Sequence, residues 1–108
     1  MPSIVYYDEV KYIVGRNAAD NWRIIEEADG YDLWVHLQDQ PSCHVIIENT
    51  KELTKDHILY GCNLCKEFSK INGKRKTVRL SVLERRHIKK GKCVGEVTLL
   101  SKPNVYSM

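Results

Sequence analysis

No stretch of this 108-residue chain approaches the roughly 20 consecutive apolar residues that a membrane-spanning helix requires. Met1-Pro2-Ser3-Ile4 lacks the basic start and apolar run of a secretory signal, so the expected location is the cytoplasm. There is no internal repeat, low-complexity tract or Pro/Ser-rich linker, and therefore no sign of a domain boundary: residues 1–108 are expected to form one domain. The motifs that announce catalysis are missing too. No nucleophile elbow, phosphate-cradling glycine loop or metalloprotease signature occurs, and the expectation is a protein that is not an enzyme. Cys62-x-x-Cys65 is half of a zinc spacing, but no second Cys or His pair follows it. Without a secretion signal, four cysteines do not imply disulfides, and the expected role of most of them is core packing. No cofactor and no metal is called for.

What is present is a strong asymmetry of charge. The formal net charge is only +3, yet residues 1–65 hold 5 Lys/Arg against 11 Asp/Glu, a balance of −6. Residues 66–92 hold 11 Lys/Arg against Glu67 and Glu84, a balance of +9, and in residues 93–108 Lys102 and Glu96 cancel. Such a segregated basic segment suits a polyanionic partner, the alternative being a solvated basic surface.

Periodicity predicts an α+β fold: a mostly antiparallel β-sheet with one long helix and one shorter helix packed on it. Ile4–Tyr7 and Tyr12–Val14 read as strands joined through Asp8-Glu9, and Asn17 as the N-cap of a helix over about residues 18–28, with Ala18, Trp22 and Ile25 on one face. Leu33–Leu37 and Cys43–Glu48 read as an antiparallel pair around a turn at 38–41. Strand alternation puts Leu33, Val35 and Leu37 on one face and Trp34 and His36 on the other. Thr54 begins a longer helix ending near Lys70 at the Asn72-Gly73 break, with Ile58, Cys62, Cys65 and Phe68 on one stripe and Gly61 marking close packing. Thr77–Leu83 and Val94–Leu100 supply further strands on either side of the basic segment, which turns at Gly91.

A nucleic-acid surface accounts for the most residues together. Lys and Arg, notably in the run Arg85-Arg86-His87-Ile88-Lys89-Lys90 and at Lys92, would neutralise phosphates. Trp34 and the tyrosines offer faces for unpaired bases, with His36, Arg16, Asn17 and Asn21 as polar contacts beside them; the alternative for Trp34 is burial against the sheet. His36 and His44 are expected to face each other near Asp32 and Ser42, an arrangement that fits a hydrogen-bonded pair or ligand contact better than acid–base work.

Val14-Gly15-Arg16-Asn17 followed by Asn21, then Asp32-Leu33-Trp34-Val35-His36, then Pro41-Ser42-Cys43-His44-Val45-Ile46-Ile47 together resemble the NFACT-R domain, an RNA-binding module of ribosome quality-control factors and bacterial fibronectin-binding-like proteins. The resemblance runs on through Gly61, Ser69, Val78–Leu83, Lys89-Lys90-Gly91 and Gly95-Glu96-Val97, covering about residues 4–100. Its most specific part is the Asp-x-Trp-x-His block followed by Ser-x-His. It implies RNA binding, with tRNA or rRNA as the RNA and the large ribosomal subunit or quality-control proteins as further partners. The larger relatives' N-terminal domain, helix-hairpin-helix elements and coiled coil have no counterpart here, so their nascent-chain tailing is not implied. By position, the resemblance marks Arg16, Asn17, Asn21, Asp32, Trp34, His36, Ser42 and His44, and Asp32 is expected to orient an imidazole or arginine. Two departures stand out: the family's Gly before Ser-His is missing at Pro41-Ser42, and Asn21 is followed by Trp22 rather than an acidic residue. A protein-interaction adaptor of the translation machinery and a DNA-binding module remain the alternatives.

Overall fold

The structure is a computed structural model that describes residues 1–38, 42–69 and 77–108. The expected turn at 38–41 and the end of the long helix with its Asn72-Gly73 break fall largely on residues outside these, as do Lys70, Lys74, Arg75 and Lys76 of the basic segment.

Among the described residues, eight strands and two α-helices follow in the order β1 (Ser3–Tyr7), β2 (Val10–Val14), α1 (Ala18–Glu27), β3 (Leu33–Leu37), β4 (Val45–Ile47), α2 (Lys55–Phe68), β5 (Arg79–Glu84), β6 (Ile88–Lys90), β7 (Val97–Leu99) and β8 (Asn104–Ser107). Six strands make an antiparallel sheet ordered β1-β2-β4-β3-β5-β8, and β6 and β7 form a separate antiparallel ribbon. The α+β class expected from periodicity is the one observed.

The two faces of the sheet carry different helices. Val35 and Leu37 of β3, with Tyr12, Val14, Val45, Ile47, Leu80 and Val82, bury against Cys62, Leu64 and Cys65 of α2. Trp34, Ile46 and Leu83 point the other way and bury against Ile24 and Ile25 of α1 and Ile88 of β6. Period-two alternation thus sorts one strand's side chains between two cores. At Gly61 of α2 a Cβ would lie 2.6 Å from Ile47 Cδ1. Only a glycine lets the helix sit this close to β4, as the sequence suggested.

Several boundaries differ from expectation. The fourth strand starts at Val45, not Cys43, because the amides of Cys43 and His44 donate to side chains rather than to a strand: Cys43 N to Ser69 Oγ at 3.2 Å and His44 N to Asn21 Oδ1 at 3.1 Å. The face of α1 turned to the core is Asp20, Asn21, Ile24 and Ile25; Ala18 is exposed and Trp22 only half-buried. The expected Val94–Leu100 strand shrinks to β7, whose partner is β6 instead of the main sheet. The sheet edge beside β5 is occupied by β8, an element that the C-terminal Lys102-Pro103 sequence concealed. No helix among the described residues is long and apolar enough to cross a membrane.

The β1–β2 turn places Asp8 (φ 48°) and Glu9 (φ 63°) in the left-handed region, the geometry that a two-residue hairpin with right-handed twist demands. Asp8 is held there by His57, whose Nε2 lies 2.8 Å from its carboxylate, but Glu9 is exposed. Replacing Glu9 with Gly removes the Cβ clash of the left-handed conformation and is expected to raise stability by about 1 kcal/mol in urea unfolding. An unchanged or lower midpoint would contradict the turn geometry.

Candidate functional site

Five chain segments meet around a cleft of about 1080 Å³. One wall is the β2–α1 junction with Gly15, Arg16, Asn17 and Ala18, and beside it stands Asn21 of α1. The floor carries His36 from β3 together with Ser42, Cys43 and His44, and the remaining walls are the end of α2 (Glu67, Phe68, Ser69) and the β6–β7 loop from Val94 to Val97. Arg16, Asn17, Asn21, His36, Ser42 and His44, chosen from sequence, therefore line one cavity.

The cleft is held at His44. Its backbone carbonyl accepts from Gly15 N at 2.9 Å, and its amide donates to Asn21 Oδ1 at 3.1 Å. A Cβ at Gly15 would fall 2.1 Å from that same Oδ1, so the glycine is what admits the Asn21 side chain. Asn17 caps α1 by accepting from Asp20 N at 2.8 Å, and Asp20 in turn accepts from Arg16 N at 3.2 Å. Ser42 Oγ accepts from Leu37 N at 3.1 Å and donates to Cys43 O at 2.8 Å, fixing the chain where it enters the floor.

Beneath the cleft lies an aromatic stack. The Trp34 and His36 rings are nearly parallel with centroids 5.4 Å apart, and His44 stands perpendicular to both, 4.8 Å from His36. Trp34 Nε1–H donates to His44 Nδ1 at 3.2 Å. An indole only donates, so Nδ1 accepts and the His44 proton sits on Nε2. Burial pushes the His44 pKa down to about 3, helped by neighbouring His36, and burial also lowers His36. Both imidazoles are neutral at pH 7. His44 Nε2 and Asn21 Nδ2 have no hydrogen-bond partner among the described residues. Among the described residues no buried side-chain nitrogen or oxygen is left without a partner, so both groups reach the solvent in the cleft.

Several expectations are corrected here. Trp34 is 1% exposed and presents no face to a base; it supports His36 and locks His44 instead. Asp32 does not orient an imidazole or arginine: its carboxylate accepts from the amides of Asp29 (3.0 Å) and Asn49 (2.9 Å) and organises those loops. Neither imidazole of the cleft is hydrogen-bonded to a carboxylate among the described residues. Cys43 lines the cleft half-exposed, and hydrogen bonding from the Cys65 side chain and Ser69 lowers its thiol pKa.

The basic run splits into separate roles. Arg85 is a strut: its Nε donates to Ile25 O at the end of α1, and its Nη1 to Ile88 O at 2.9 Å. Arg86 pairs with Glu84 at 2.7 Å and lies over the Tyr31 ring. Lys90 pairs with Glu26 and lies over Trp22, whose Nε1 donates to Glu96 O at 2.8 Å. Trp22, the departure from the family pattern, thus ties α1 to the loop that forms one wall of the cleft. Lys89 and Lys92 are exposed and carry no ion pair among the described residues. The wall from Val94 to Val97 was not foreseen as part of the site, since its apolar and acidic residues carry no binding signature.

No protein-family model matches the sequence, and no curated protein does. Among solved structures, the chain is similar to the C-terminal part of the fibronectin/fibrinogen-binding protein from Streptococcus suis, with a TM-score of 0.88 at 22% identity over 98% of this chain. The chain spans 44% of the length of that neighbour. At this identity the likeness establishes a shared fold.

Two outcomes test the geometry. Gly15→Ala forces Asn21 off the His44 amide and leaves a buried donor unpaired, an expected cost of about 1–3 kcal/mol in chemical unfolding; a neutral result would refute the close approach. His44 has a folded pKa of about 3, below its unfolded value of about 6.5, so protonation favours the unfolded chain. Its stabilisation is complete above pH ~6.5 and is lost as pH falls, by about 1.4 kcal/mol per pH unit until the folded value is approached. Histidine NMR between pH 7 and 5 should show a neutral Nε2–H tautomer at His44; an imidazolium signal by pH 6 would contradict the lock.

Proposed function

We propose that this chain is a non-catalytic RNA-binding module of the NFACT-R type, which binds tRNA or rRNA in ribosome-associated quality control. The observation that carries the reading is convergence. Six residues of the resemblance, scattered between positions 16 and 44, are drawn from the β2–α1 junction, α1, β3 and the approach to β4 into one cleft. The donors of His44 and Asn21 at the floor of that cavity are polar groups of the kind that orient a ligand in a pocket. Arg16 on one rim and Lys89 and Lys92 on the neighbouring ribbon supply charge for a phosphate backbone, while Arg85, Arg86 and Lys90 act mainly within the fold. The partner surfaces would be the large ribosomal subunit or its quality-control proteins, and the setting the cytoplasm.

The Streptococcus suis neighbour's name favours a second reading, a protein-interaction adaptor. Exposed Val94, Leu99, Leu100 and Val105 are the apolar residues it would use.

A filter-binding salt titration with tRNA separates the two. For phosphate recognition, affinity falls linearly with log salt, and replacing Lys89 and Lys92 together with Ala reduces the slope by about 1–2. Affinity that is indifferent to salt, or a slope that the double variant leaves unchanged, would refute the reading. Loss of a protein partner on replacing Leu99 and Leu100, with RNA binding absent throughout, would favour the adaptor. Competition with duplex DNA of equal length decides between RNA and DNA.

A further inference from the structure

Two polar side chains turn donors into the cleft from its buried floor. His44, 2% exposed, offers Nε2–H, and Asn21, 7% exposed, offers its amide NH₂ because its oxygen is committed to the His44 amide. On the rim the Arg16 guanidinium holds Ser3 Oγ alone among the described residues, at 3.1 Å, and the amides of Ala18 and Ala19 precede the first intrahelical bond of α1. The carboxylates of the lining stand on the other walls and keep their charge, Glu67 at the end of α2 accepting from Asn63 Nδ2 at 3.2 Å and Glu96 in the β6–β7 loop accepting from Lys92 N at 3.2 Å, so an anionic group is directed to the Arg16 side. The cleft therefore seeks a ligand that is rich in acceptors and anionic at one end. A half-buried imidazole ring resting on Trp34 gives that ligand a flat apolar contact. The volume suffices, since sites for small ligands run about 300–1,000 Å³.

We propose that the cleft is a subsite for one unpaired pyrimidine nucleotide, with its phosphate at Arg16 and the start of α1, its ring against His36, and its carbonyl edge receiving the protons of Asn21 Nδ2 and His44 Nε2. Uracil carries two carbonyl acceptors, O2 and O4, on either side of its N3–H, and cytosine places O2 beside N3, whereas the adenine edge offers one ring acceptor beside its amino donor. Neutral donors discriminate between such edges by the cost of leaving a buried group unpaired. The proposal rests on the RNA-binding reading and names the part of the RNA that enters the cleft.

The test is an NMR titration of the full chain, ¹⁵N-labelled, with uridine monophosphate, adenosine monophosphate, inorganic phosphate and an acidic tripeptide. Uridine monophosphate is expected to shift the Asn21 side-chain amide and the His44 Nε2–H signals, and to bind at least about fivefold more tightly than adenosine monophosphate. Inorganic phosphate is expected to move only Arg16 and the first amides of α1. Asn21→Asp retains the acceptor for the His44 amide and removes the donors, and is expected to weaken uridine monophosphate at least about tenfold. Should that variant melt early, Arg16→Ala at the exposed rim serves, with a loss of similar size. Equal affinity for the two nucleotides, or unshifted Asn21 and His44 signals, would overturn the proposal. The acidic tripeptide displacing the nucleotide would assign the cleft to a carboxylate of a protein partner. If tRNA binds while these signals stay fixed, the subsite falls and the RNA reading stands; if the nucleotide binds and tRNA does not, the reverse holds.

Discussion

The hydrogen bond from the His44 amide to Asn21 Oδ1, made possible by the missing side chain at Gly15, joins the sheet to the helix across its face. Everything at the cleft follows from it. With its oxygen engaged, Asn21 can turn only its NH₂ outward; with its backbone clamped between Gly15 and Asn21, His44 is fixed where Trp34 can donate to it. The indole then decides the tautomer, and the tautomer decides that the histidine offers a proton rather than a lone pair. A chain of three local constraints, each carried by a neighbour in the fold, sets the chemistry of the cavity.

Electrostatics divides between this buried floor and the surface. Burial keeps both imidazoles neutral, so the floor selects by hydrogen-bond direction and not by charge. Charge enters from the rim and the β6–β7 ribbon. There the basic segment proves less available than its count suggests. Arg85 bridges two backbone carbonyls and Lys90 is tied to α1, so the surplus of cations is partly consumed in docking the ribbon that closes the cleft. The same residues that suggest a polyanion partner in the sequence also build the wall beside which it would bind.

Much of the fold was legible because its signals are local. Alternation in Leu33–Leu37 separated the two cores correctly, Asn17 and Thr54 marked both helix starts, and Gly61 announced the close approach of α2. The site was legible as a set of residues but not as a set of roles. Sequence alone makes Trp34 a candidate for stacking on a base; only the packing of α1 shows that it lies under His36 rather than in its place. Asp32 reads as a partner for an imidazole from its strand position, yet the neighbouring loops present amides that reach it first. The ribbon β6–β7 and the edge strand β8 depend on long-range pairing, for which short runs such as Ile88–Lys90 carry no distinctive pattern.

The central claim is that RNA enters the cleft defined by Arg16, Asn21, His36 and His44. Photo-crosslinking of 4-thiouridine-labelled cellular RNA to the protein, with mapping of the crosslinked peptides, tests it most directly. Crosslinks concentrated on Gly15 to Asn21, His36, Ser42 to His44 and the loop 92–97 would agree with the account; absence of RNA, or crosslinks confined to the far face under α2, would contradict it.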